Sequence, residues 1–232
     1  MNAIILAAGT GSRLALLTKD TPKALLPVNK LAIVEYQIHY LREIGVCNIS
    51  IVTGHLAHKF GYLTEKYARI ELIYNNHYAN WNNFYSMYLS RHRLIGNTYV
   101  IDGDTYLKRN FLSDHTIDKS CYFIGFRTNN KNEWSPDIDK EGRVVNLRIT
   151  SSPAFRLIGV SYWTRRDAQI IVNLLNYYYE STNDWKRWFW DDVPKLHLEQ
   201  LQVTTKIVEE NDWMEIDTLE DYIKLEQKER LS

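Results

Sequence analysis

The first 23 residues constrain this chain more than any other segment. The apolar run Ala3-Ile4-Ile5-Leu6-Ala7-Ala8 breaks into Gly9-Thr10-Gly11-Ser12-Arg13, and Thr21-Pro22-Lys23 follows shortly after. A continuous apolar run predicts a strand buried on both faces. A glycine-rich turn at its end admits backbone N–H groups to an anion, and Arg13 and Lys23 supply positive charge, an arrangement that suits a polyphosphate. Gly9-x-Gly11 alone is a common turn, and Lys23 alone suits a solvated surface; together with Arg13 and Pro22 they point to a nucleotide. Neither a Walker A motif nor G-x-G-x-x-G is present, which excludes the ordinary P-loop and dinucleotide readings.

The first half alternates strand and helix patterns. Ile33, Val34, Gln37, Tyr40, Leu41 and Ile44 recur at helical spacing, with Gly45 as the stop. Asn48–Thr53 and Ile70–Tyr74 read as strands. A helix is expected from about Phe84 to Leu94, capped by Asn82 or Asn83, and then a strand at Thr98–Ile101. Such alternation predicts an α/β fold with a mostly parallel sheet and right-handed crossovers. The second half is less regular. Cys121–Arg127, Arg143–Ile149, Leu157–Trp163, Val203–Val208 and Trp213–Asp217 read as strands. Arg166–Tyr179, the stretch after Trp185 and the charged tail from Thr218 read as helices. No repeat or linker interrupts 232 residues, so one domain is expected, about 1–110 forming a nucleotide half and about 111–232 an acceptor half.

Charge excludes some partners. With 28 basic and 28 acidic residues there is no footprint for nucleic acid, and the opening apolar run is too short for a signal peptide or membrane span. Cys47 and Cys121 lack any metal or redox spacing and are expected as buried thiols in a cytoplasmic protein. Nothing in the pattern fixes an oligomeric state. Aromatic residues make up 13% of the chain and concentrate at Asp184-Trp185-Lys186-Arg187-Trp188-Phe189-Trp190-Asp191-Asp192. Such a cluster serves either as packing or as a cage for a cationic ligand.

Asp102-Gly103-Asp104 falls where a strand should end, at the carboxyl edge at which open α/β sheets bind ligands. Hard Mg²⁺ prefers carboxylate oxygens together with phosphates and water, and Glu215-Ile216-Asp217 offers a second carboxylate. Asp217 also suits the N-cap of the last helix. His55 lies close enough in sequence to the second strand's end to approach a nucleotide or to serve structure alone.

Leu6-Ala7-Ala8-Gly9-Thr10-Gly11-Ser12-Arg13-Leu14, with Thr21-Pro22-Lys23-Ala24-Leu25, resembles the nucleotidyltransferases that make NDP-sugars and related activated head groups. Asp102-Gly103-Asp104 and Glu215-Ile216-Asp217-Thr218 resemble that family's two metal-carboxylate positions. Leu16 departs from it, standing where many members have proline. Within the family the chain is most similar to the bacterial CTP:phosphocholine cytidylyltransferases. The likeness rests on its length, on Val34-Glu35-Tyr36-Gln37-Ile38, on Asn82–Leu89, on Asn132-Glu133-Trp134 and on Phe189-Trp190-Asp191-Asp192. Ser135-Pro136-Asp137 departs from what that group shows.

The resemblance implies a Rossmann-like nucleotidyltransferase fold. It implies that Leu6, Ala8 and Gly9 line the cytidine, with Asn83 and Ser86 near base and ribose and Asp102 at the nucleotide. Gly11, Ser12, Arg13 and Lys23 would hold the triphosphate, Arg13 and Lys23 as catalytic cations. Asp104 and Asp217 would hold Mg²⁺, and Trp134, Trp190 and Asp191 would surround the choline of phosphocholine. The implied reaction is in-line attack of phosphocholine on the α-phosphorus of CTP. A sugar 1-phosphate, phosphoethanolamine or an aminoalkylphosphonate is the alternative acceptor. A glycosyltransferase using Asp102-x-Asp104 leaves Arg13 and Lys23 no pyrophosphate to serve, and a non-catalytic nucleotide-binding module leaves both carboxylates idle.

Overall fold

Asn2–Ala7 (β1) is buried on both faces because alternate side chains enter different apolar layers. Ala3, Ile5 and Ala7 join one core, and Ile4 and Leu6 join the other. The computed structural model describes residues 1–114, 117–128 and 131–230. Its further strands are Pro27–Val28 (β2), Leu31–Ala32 (β3), Asn48–Thr53 (β4), Ile70–Tyr74 (β5), Thr98–Asp102 (β6) and Thr105–Leu107 (β7). They continue with Ser120–Arg127 (β8), Glu133–Ile138 (β9), Val144–Thr150 (β10), Ala154–Trp163 (β11), Val203–Ile207 (β12) and Trp213–Glu215 (β13). Helices are Ala15–Thr18 (α1), Ile33–Glu43 (α2), Gly61–Lys66 (α3), Phe84–Ser90 (α4), Arg165–Ser181 (α5), Asp192–Lys195 (α6) and Leu219–Arg230 (α7).

Seven strands form one sheet in the order β12-β8-β11-β6-β1-β4-β5, so both halves of the sequence share it. β4, β1, β6 and β5 run parallel, as do β8 and β12; β11 alone opposes its two neighbours. The sheet is therefore mostly parallel, as the β-α-β alternation predicts. α2 covers one face through Val34, Ile38 and Leu41, and α4 and α5 cover the other through Met87, Ala168, Ile171 and Leu175.

The order of the parallel strands positions the site. From β1 the chain moves outward to β4 and β5, then returns to place β6 on the opposite side of β1. The crevice beyond the carboxyl ends of β1 and β6 is the switch point at which α/β sheets receive ligands. Leu6 pairs with Asp102 there, and the Gly103 N–H donates to the Leu6 carbonyl at 2.9 Å. The glycine-rich loop and the Asp102–Asp104 turn thus leave the sheet side by side.

Several local expectations are corrected. α4 stops at Ser90, whose hydroxyl donates back to the Ser86 and Met87 carbonyls, and the chain tightens into a 3₁₀ turn through Arg93. Asn83 occupies the N-cap position but makes no capping bond. The stretch after Trp185 is no continuous helix; a 3₁₀ turn at Asp184–Arg187 and the four-residue α6 flank an extended Trp188. β13 ends at Glu215, short of Asp217. Cys47 is exposed, and only Cys121 is the buried thiol expected. No helix of the described residues is long and apolar enough to cross a membrane.

Candidate active site

A cavity of about 770 Å³ opens at the switch point. It is lined by Leu6, Ala8 and Gly9 from the end of β1 and by Gly11, Ser12 and Arg13 from the loop that follows. A Cβ built on Gly9 meets nothing within 4 Å, so the space above this peptide is open. Gly11 has φ +63°, and a Cβ there would lie 2.7 Å from Thr18 Cγ2; this turn needs glycine. The loop is fastened from beneath: Thr18 Oγ1 donates to the Gly11 carbonyl at 3.0 Å. The His55 N–H donates to the Ala8 carbonyl at 3.1 Å, and the ring Nε2 lies 2.7 Å from the Thr18 carbonyl oxygen. His55 therefore anchors the loop and does not line the cavity. Leu16 is exposed to solvent and does not line the cavity.

Charge gathers where β1, β6 and β13 end. Lys23 Nζ is 2.5 Å from Asp104 Oδ2 and 3.0 Å from Asp217 Oδ1, the latter 194 positions further along the chain. Arg13 reaches Asp217 at 2.9 Å with its side chain 65% exposed, and Lys131 approaches the same carboxylate at 3.5 Å. Burial opposes the Lys23 charge, but Asp104 and Asp217 outweigh it and hold the ammonium above its ordinary pKa. Burial likewise opposes ionisation of Asp217, and Lys23, Arg13 and Lys131 overcome it, so its pKa falls. Asp217 is not the cap of α7. Asp221 N–H donates to Thr218 Oγ1 and Thr218 N–H to Asp221 Oδ2, a reciprocal cap that leaves the Asp217 carboxylate facing the cations.

Other carboxyl groups are driven toward the neutral form. Burial, with Asp104, Asp191 and Glu215 nearby, pushes Asp102 well above its usual range. Burial beside Asp104, Asp217 and Glu133 raises Glu215 to about 8. Gln37 holds the turn itself, its amide donating to the Asp102 and Thr105 carbonyls at 2.9 and 2.8 Å.

The opposite end of the cavity is aromatic. Trp134 comes from β9, and Phe189, Trp190 and Asp191 come from the segment before α6. Asn83 Oδ1 accepts the Trp190 N–H at 2.8 Å, which fixes that segment to the start of α4. Ser86 lines the wall with its hydroxyl accepting from Asn75 Nδ2 at 2.9 Å. Burial raises Asp191 to about 7, opposed by the adjacent Tyr122 hydroxyl and aided by Asp192. The aromatic cluster divides between packing and the cavity wall. Trp185 stacks on Phe84 at 5.4 Å and Trp188 packs on Tyr178 at 4.9 Å as core, whereas Phe189 and Trp190 face the cavity. Trp190 is itself braced edge-on against Trp163.

Of the residues singled out from sequence, Leu6, Ala8, Gly9, Gly11, Ser12, Arg13, Lys23, Asn83, Ser86, Asp102, Asp104, Trp134, Trp190, Asp191 and Asp217 line this one cavity, and His55 does not. Sequence reasoning missed Tyr122, Lys131, Glu133 and Glu215 as wall residues. Glu215 carried a signal, since it sits two positions before Asp217 with buried Ile216 pointing the other way.

The chain is 41% identical over 227 residues to a choline-phosphate cytidylyltransferase of Streptococcus pneumoniae, covering 98% of this chain and 97% of the relative. The chain belongs to the cytidylyltransferase family of nucleotidyltransferases. A MobA-like NTP transferase domain matches residues 3–88. A 2-aminoethylphosphonate cytidylyltransferase of Lancefieldella rimae is 33% identical, over 94% of this chain and 89% of that one. The solved structure of a CTP:phosphocholine cytidylyltransferase from Streptococcus pneumoniae superposes with a TM-score of 0.91 at 40% identity, covering 98% of each chain. The family's fold is the mixed, mostly parallel sheet with flanking helices described above.

Proposed function

We propose that this cytidylyltransferase transfers CMP from CTP to phosphocholine, releasing pyrophosphate. The observation that carries the reading is one cavity with a cation–carboxylate cluster at one end and an aromatic, acidic wall at the other. The near-full-length likeness to choline-phosphate cytidylyltransferases supports it.

The nucleotide half supplies the loop from Leu6 to Ser12 for cytidine and phosphates, with Asn83, Ser86 and Asp102 at the base and ribose side. Asp104 and Asp217 present hard oxygens across a gap that a single ammonium now spans, a donor set that fits Mg²⁺. Bound there, Mg²⁺ would supply Lewis-acid polarisation of the phosphates and orient them. Arg13 and Lys23 then turn from carboxylate to phosphate oxygens and stabilise the charge that develops as pyrophosphate departs. An acceptor phosphate oxygen attacks the α-phosphorus in line; its new O–P bond replaces the bond to the β-phosphate oxygen, which leaves with the electron pair. A phosphate monoester with a second pKa of about 6 is already a dianion at neutral pH, so no general base is required.

The acceptor half supplies Trp134, Trp190 and Asp191. A trimethylammonium group has no N–H to donate and is recognised by ring faces and negative charge. Asp191 at that wall also favours a second reading, a primary ammonium acceptor such as 2-aminoethylphosphonate. We place the enzyme in the cytoplasm on its two free thiols and its lack, among the described residues, of a membrane-crossing helix. Pyrophosphate release measured with phosphocholine, phosphoethanolamine, 2-aminoethylphosphonate and a sugar 1-phosphate tests the assignment. The expected result is the highest kcat/KM for phosphocholine, and equal or better turnover of another acceptor would reject it.

A further inference from the structure

Lys23 occupies the space between the carboxylates of Asp104 and Asp217, the pair assigned above to the metal. Its Nζ lies 2.5 and 3.0 Å from their oxygens, and its side chain is only 12% exposed, so water competes little for these contacts. Arg13 and Lys131 add two further cations at Asp217. The chain's own charges thus neutralise these carboxylates.

The protein offers the ion little else. Among the described residues no group of three or more His, Cys, Asp or Glu side chains is placed to hold a metal. The remaining oxygens must come from substrate phosphates and water. A divalent ion arriving alone must displace Lys23 and leave that ammonium beside it, in a partly buried site where like charges repel strongly. A triphosphate changes the balance, because it brings oxygens for the ion and anionic partners for Lys23, Arg13 and Lys131 together.

We propose that Lys23 is a placeholder cation that closes the metal site until nucleotide arrives, so that metal and CTP enter as a unit. This rests on the reading of Asp104 and Asp217 as metal-binding carboxylates. The same side chain then has two positions, one on the carboxylates in the empty enzyme and one on the phosphates in the loaded enzyme.

Mn²⁺ binding followed by electron paramagnetic resonance and water-proton relaxation, with and without CTP, tests this without turnover. Wild-type enzyme is expected to bind Mn²⁺ weakly alone and tightly with CTP. Lys23→Met is expected to bind Mn²⁺ alone at least tenfold more tightly than wild type. Lys23→Gln, expected to shift in the same direction, serves if the methionine variant fails to fold by circular dichroism. Variants that bind Mn²⁺ alone no better than wild type, while both form the complex with CTP, would overturn the placeholder and leave the metal assignment standing. Wild type binding Mn²⁺ equally well with and without CTP would also overturn it. No protein-bound Mn²⁺ even with CTP would overturn the metal assignment and this inference with it.

Discussion

Asp191 is held where a carboxylate is costly, and replacing it with asparagine should expose that cost. Burial raises its pKa from an ordinary 3.8 to about 7. The sign follows from proton binding: between those values the folded protein holds more protons at this site than the unfolded chain, so stability falls as pH rises. Above about pH 7 both states are ionised and the penalty is complete. Three units at about 1.4 kcal/mol each set a ceiling near 4 kcal/mol at pH 8, of which roughly 2 units accrue between pH 5 and 8. Water in the cavity screens part of this. Urea unfolding should therefore show Asp191→Asn gaining on wild type by about 2 kcal/mol more at pH 8 than at pH 5. The same variant should lose affinity for a cationic acceptor while KM for CTP stays near wild type. A stability difference independent of pH, or a variant less stable than wild type at pH 8, would refute the reasoning.

Three further outcomes are expected. Asp104→Ala removes an oxygen donor from the proposed metal site and should lower turnover by about a thousandfold or more, with circular dichroism unchanged; near-normal activity would remove the metal assignment. Gly159 has φ +71°, and a Cβ there would sit 2.6 Å from Thr105 Oγ1 and 2.9 Å from Asp102 Oδ2, so Gly159→Ala should destabilise by about 2 kcal/mol or more in urea titration. Asn83→Ala leaves the Trp190 N–H without its partner and should cost about 1–3 kcal/mol while raising KM for phosphocholine several-fold. An effect on KM for CTP alone would mean that Asn83 serves only the nucleotide.

Local pattern carried much of this molecule. β1 was legible because an uninterrupted apolar run can only be buried on both faces, and α2 because its period and its glycine stop agree. The Asp102–Asp104 turn was legible as the polar end of a buried strand. β9 was not, since Pro136 argues against a strand; it is tolerated in a two-stranded ribbon opposite Leu147. Tyr122 read as core because it lies in an apolar strand, and only the sheet order shows its hydroxyl reaching the Asp191 side of the cavity. Trp188 and Trp190 are two residues apart and look alike in sequence, yet packing sends one to Tyr178 and the other to the cavity. The Lys23 bridge joins segments from the two ends of the chain, and no local periodicity encodes it.

Phosphorus-31 NMR of the enzyme with CTP, phosphocholine and Mg²⁺ tests the central claim most directly. CDP-choline and pyrophosphate should grow together in equal amounts, with the phosphocholine resonance lost at the same rate. Consumption of CTP without a CDP-choline resonance, or no consumption until 2-aminoethylphosphonate replaces phosphocholine, would contradict it.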